Sequence, residues 1–265
     1  MQTVSIVALA LAFAVLPARA VVRLRRRGRA DLAPWSRVAL AALAAAVLLA
    51  ALLGLDDAAD TLLAAHMLQH VLIGDLAPLL LVLAVRGPVC VRLFPVSMVR
   101  LARRTGVARL LAAGTRPAPA FAVWAAALAV WHVPALYDGA LENERLHAFE
   151  HLTFIAAGVL VWSVLLDPAR RQLLAGWQRF GYALALLAAS SVLGNVLVLS
   201  YRPLYPAYAE PDAVLRLSPV LDQDLAGLVM MVEQLATLGT FALVVARRRL
   251  AAPQAAQPAR HPLAA

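Results

Sequence analysis

The sequence predicts an all-α fold, a polytopic membrane helix bundle of about seven transmembrane helices with its N-terminus outside and its C-terminus inside. Of its 265 residues 63% are hydrophobic and the mean hydropathy is +0.77, beyond the range of water-soluble domains. Apolar runs of about 18 residues or more recur along the whole chain, each long enough to cross a hydrocarbon core about 30 Å thick. The arginines fall in alternate connecting loops, as a membrane topology demands.

The spans are read in order at residues 2–22, 36–54, 61–85, 117–136, 146–166, 179–200 and 223–246. Ala18-Arg19-Ala20 imitates a signal-peptide cleavage site, but Met1-Gln2-Thr3-Val4 carries no charge and the arginines follow the apolar run. The first segment is therefore expected to remain as a span. Residues 92–114 mix arginines with apolar residues, which predicts a short helix lying on the cytoplasmic face; a solvated basic loop is the alternative. Residues 1–250 read as one transmembrane domain. Residues 251–265, rich in Ala, Pro and Gln, read as a disordered cytoplasmic tail with too little apolar surface to order itself.

Charge fixes the expected orientation. Arg23 to Arg37, Arg86 to Arg116, Arg170 to Arg179 and Arg247 to Arg249 follow the first, third, fifth and seventh spans, so those loops are expected inside. The opposite loops hold Arg145, Arg202 and Arg216 beside Asp56, Asp57, Asp60, Asp138, Glu142, Glu144, Glu210 and Asp212. The formal charge of +9 thus sets topology and implies contact with lipid, not nucleic acid. The single cysteine, Cys90, excludes an internal disulfide and any CxxC site.

Five of the six histidines fall toward the outer end. His66 and His70 in the third span, and His147 and His151 in the fifth, are pairs four residues apart, one turn along a helix and about 40° around it. Each pair can face one point. His132 ends the fourth span just before Val133-Pro134, where the proline loosens the helix. The seventh span brings Met230, Met231 and Gln234 to a comparable or slightly greater depth. Polar groups in a bilayer find a partner or a metal, so the layer reads as a metal site of His66, His70, His132, His147 and His151, with Met230 as a soft ligand and Glu150 and Gln234 orienting the donors. Imidazole with thioether favours copper, whereas imidazole with carboxylate also suits zinc or iron. In the structural alternative each histidine bonds a carbonyl or interfacial water, an account that suits His132 and His147 best. Asp75 lies on the opposite side of its helix from His66 and is expected to pair with Asn195 or to bind a proton. Glu233 admits a structural or a functional role equally. Trp124, Trp131 and Trp162 read as packing and interfacial anchors.

These residues resemble the CtaG family of assembly factors for caa-type cytochrome c oxidase, the multi-span kind. His66-Met67-Leu68-Gln69-His70 with Ala77-Pro78 looks like that family's third-span motif, and Trp131-His132-Val133-Pro134-Ala135-Leu136-Tyr137 like its fourth. His147-Ala148-Phe149-Glu150-His151 and Asp222-Gln223-Asp224-Leu225-Ala226-Gly227 look like its fifth and seventh. Leu79 stands where the family pattern has a second proline. The resemblance implies a non-enzymatic assembly factor in the bacterial plasma membrane that handles copper on the extracytoplasmic side for cytochrome c oxidase subunits. A b-type haem protein is the first rival, although paired histidines one turn apart suit a small ion better than a porphyrin. The second is an intramembrane zinc hydrolase using Glu150 or Asp75 to activate water. A transporter would call for a repeat or paired broken helices, which the sequence lacks.

Overall fold

The computed structural model describes residues 2–210 and 215–251. The expected tail, residues 252–265, lies outside them, as does Asp212. Among the described residues there are helices and turns and no strand. We label the main helices α1 (Gln2–Arg25), α2 (Ser36–Leu49), α3 (Leu63–Ala84), α4 (Val96–Arg104), α5 (Val107–Gly114), α6 (Pro117–Trp131), α7 (Pro134–Glu142), α8 (Glu144–Leu166), α9 (Gly176–Leu199) and α10 (Pro219–Leu250).

Among the described residues six helices are long and apolar enough to span, and α6 with α7 makes a seventh if that bent pair is one span. The sequence predicts a fourth span running on to residue 136. Instead α6 stops at Trp131 and α7 leaves at 76°, because Pro134 holds Val133 extended (φ −69°, ψ 122°) and cannot continue the ladder. The basic segment forms two helices, α4 and α5, parted at Gly106, whose φ of +79° ends the first. On α4, Arg100, Arg103 and Arg104 share one side and Met98, Val99 and Leu101 the other, the pattern of an interfacial helix.

Lipid gives no hydrophobic force between helices, so close packing relies on small residues. A Cβ on Gly158 of α8 would strike the Gly74 carbonyl and Pro78 of α3. Gly194 of α9 and Gly227 of α10 face each other in the same way, each with its Cβ position blocked by the other's helix. α3 and α8 bury 56% and 61% of their most apolar 18 residues, against 28% to 33% for the remaining long helices. They are the two central rods, and they carry the four paired histidines.

Among the described residues there are three π turns, one closing the second span at Ala50–Gly54 and two within long helices at Leu72–Leu76 and Leu235–Gly239. Each inserts a residue into the i to i−4 ladder and re-aims the side chains of the next turn. The second π turn contains Asp75. The third contains Thr237.

Candidate metal centre

Two long-range caps set the histidine helices in register. The N-terminus of α3 receives a carboxylate from α10: Leu63 N donates to Asp222 Oδ2 at 2.7 Å and Ala64 N to Oδ1 at 3.0 Å. An anion there satisfies two orphan donors and opposes the positive helix end. α8 starts from Asn143, whose Oδ1 accepts from Arg145 N at 3.0 Å and Leu146 N at 3.2 Å. With both ends pinned, the ring nitrogens of His66, His70, His147 and His151 converge, one ligand atom from each lying within 4.8 Å of every other.

Hydrogen bonding selects which nitrogens are free. Tyr208, on the loop between α9 and α10, donates its hydroxyl to the Ala59 carbonyl at 2.6 Å. Burial first, then the charges of Asp60 and Asp222, push this phenol above its ordinary range, so it stays a donor. Its oxygen must then accept from His66 Nδ1 at 2.8 Å, which leaves His66 Nε2 with a bare lone pair. That lone pair accepts from His70 Nε2–H at 2.9 Å, and His70 Nδ1 is left buried without a partner. The Nε2 atoms of His147 and His151 are buried with no hydrogen-bond partner. A buried acceptor left unmade costs free energy, and several such atoms aimed at one point fit a cation with Zn–N or Cu–N bonds of about 2 Å.

The remaining expected residues are distributed around this group. His132 is buried at its edge, its ring 6.3 Å from that of His70. Its Nδ1 donates to the Leu128 carbonyl at 2.7 Å while its Nε2 is unpartnered, the orientation of a ligand imidazole without membership of the converging four. Glu150 Oε1 stands 3.7 Å from His70 Nε2, facing a neighbouring helix's histidine. Met230 is buried in the adjoining apolar cluster with Leu63, Met67, Val71 and Tyr137. Gln234 belongs to a different group, its Nε2 donating to Glu233 Oε2 at 3.3 Å.

That second group centres on Asp75, which is buried and accepts from Trp162 Nε1 and Thr237 Oγ1, with the Glu233 carboxyl close by. The expected Asp75–Asn195 pair does not form. Asn195 is exposed and donates to the Ser191 carbonyl at 2.7 Å, because the π turn carrying Asp75 directs it toward α8 and α10. Trp162, expected among the packing and interfacial anchors, is fully buried as a donor to that carboxyl.

Sequence reasoning missed the supporting residues. Gln223 clamps the α9–α10 loop, accepting from Leu204 N at 2.7 Å and donating to the Leu197 carbonyl at 3.0 Å, and Tyr205 Oη reaches the His132 carbonyl at 3.3 Å. Two tyrosines flanking Pro206 inside a polar loop were the available signal for a segment folded back onto the bundle.

No curated protein and no solved structure matches the chain. A sequence model of the cytochrome c oxidase caa3 assembly factor family (Caa3_CtaG) matches residues 15–252, a stretch that holds both capped helices and the five histidines of this layer, and the chain belongs to that family.

Proposed function

We propose that this multi-pass protein assists maturation of cytochrome c oxidase by holding copper between His66, His70, His147 and His151 and passing it to an oxidase subunit. The observation that carries the reading is the convergence of four imidazoles in which the Nε2 atoms of His147 and His151 have no partner and those of His66 and His70 have only each other. Neutral nitrogen donors in an apolar setting, with the Met230 thioether in the next cluster, make a donor set suited to copper. His132 and Glu150 stand at the margin as an entry ligand and an orienting carboxylate. His147 is the half-buried member and so the natural point of exchange with a partner. The arginine distribution orients this end toward the extracytoplasmic side, where no catalytic turnover by the factor is required.

A porphyrin would need an axial imidazole on each side of a plane. Four ring nitrogens within 4.8 Å of one another fill the space that plane would take. The test is metal analysis of protein purified without oxygen from copper-supplemented cells. Copper should accompany the wild type and fall to background in the His66→Ala, His70→Ala double variant, with loss of copper-oxidase activity in the same cells. A copper-free wild type, a Soret band, or a double variant that retains its copper would overturn the proposal.

A further inference from the structure

The opposite end of the bundle holds a cavity ringed by arginines. Its volume is about 540 Å³, and it lies between the start of α9 and the end of α10, with Arg179, Arg248, Arg249 and Gly176 among its lining residues. The placement of Arg249 is unusual. A Cβ on Gly176 would run into its guanidinium, so the absent side chain lets a cation lie over the first turn of α9. That is the positive end of the helix dipole, and the first turn contains no acidic residue.

Among the described residues the one ion pair at this cavity is the long contact of Arg179 with Asp167. Neither Arg248 nor Arg249 has a hydrogen-bond or ion-pair partner there. Asp167 is the nearby carboxylate, and it is engaged elsewhere. Its oxygens accept from Arg171 N at 2.8 Å and Gln172 N at 2.6 Å, holding a loop in which Asp167, Arg170 and Gln172 all have positive φ, and it reaches Arg179 Nη2 only at 3.6 Å. Arg86, just past the end of α3, has its affinity for a proton lowered by burial and then by Arg179, Arg248 and Arg170. Cations gathered over a positive helix end call for an anion.

We propose that this cavity binds the phosphate headgroup of an acidic phospholipid. The lipid source is argued from position: Leu174 and Val245 also line the cavity, Trp177 beside it is 54% exposed at the level where aromatic residues meet headgroups, and basic pockets between transmembrane helices take such headgroups. The arginine-bearing helix α4 and its neighbour α5 present exposed apolar residues, Leu101 and Leu110 among them, in keeping with the same membrane surface.

The experiment uses the full chain in mild detergent and native mass spectrometry, with phosphatidylglycerol and phosphatidylcholine of identical acyl chains as probes and inorganic phosphate as competitor. Wild type should retain phosphatidylglycerol over phosphatidylcholine. Arg248→Gln and Arg249→Gln should each lower that retention about fivefold, and together about 30-fold, with phosphatidylcholine retention and thermal midpoint unchanged. If the double variant unfolds, the two single variants carry the test. Equal retention of the two lipids by wild type, unchanged retention in the variants, or displacement of the lipid by millimolar phosphate would overturn the assignment.

Discussion

α3 carries two buried polar groups about one π turn apart, and they are finished in opposite ways. Asp75 is met on its two oxygens by an indole N–H and a threonine hydroxyl. The histidine group on the same helix has Tyr208 fixing one nitrogen, while the Nε2 atoms of His147 and His151 face the group without a partner. Both groups are costly in a bilayer. The Asp75 carboxyl is satisfied by the protein itself and needs no ligand to explain its burial; among the four converging imidazoles only His66 has an outer nitrogen held by the protein, while His70 Nδ1 and the Nε2 atoms of His147 and His151 are left open, which is how a receptive site differs from a structural network.

That distinction predicts opposite phenotypes. Asp75→Ala should be the most damaging single change to the fold, because Trp162 Nε1–H loses its acceptor in a fully buried position and a cavity is left. The cost is roughly 2–4 kcal/mol, seen as a lowered thermal midpoint in detergent, whereas Asp75→Asn retains an acceptor and most of the stability. Copper per folded chain should be unchanged in both variants. Loss of copper without loss of stability in Asp75→Ala would erase the contrast between the two groups.

The helices and the histidine pairing were legible in the sequence because both depend on local spacing. Hydrophobic run length gave α1, α2, α3 and α8 to α10 to within a few residues at each end, and the four-residue spacing of His66 with His70 and His147 with His151 placed each pair on one face. Pro134 announced the weakened end of the fourth span, though not that the chain beyond it turns by 76°. The supports were hidden because they join distant residues: Tyr208 meets His66 across 142 positions and Asp222 meets Leu63 across 159, and no periodicity encodes either contact. The π turns hid the partners of Asp75, since a reading at a constant 3.6 residues per turn aims that side chain elsewhere.

Tyr208→Phe sharpens the comparison at the histidine end. It removes the acceptor that holds His66 in its Nδ1–H form, together with the bond to the Ala59 carbonyl, without touching a converging nitrogen. Outer partners of this kind are worth about 10–100-fold in metal affinity. The copper dissociation constant measured against a competing chelator should rise by that factor while the wild-type number of ions per chain is kept at saturating copper. An unaltered dissociation constant would mean that the tautomer of His66 does not govern the site.

The smallest expected effect concerns the carboxylate that sets the height of α3. In Asp222→Asn one oxygen remains to accept from Leu63 N or Ala64 N, but the charge facing the helix end is gone and one backbone donor loses its partner. A cap change of this kind costs about 1 kcal/mol. Because α3 also packs tightly at Gly158 against Gly74, the helix cannot slide to compensate, and the loss should appear as fraying of its first turn, where His66 sits. Amide exchange should therefore rise at residues 63–66 and leave the Asp75 turn protected. Uniformly faster exchange along the whole of α3 would instead make Asp222 a support of the entire rod, and the two polar groups would no longer be separable.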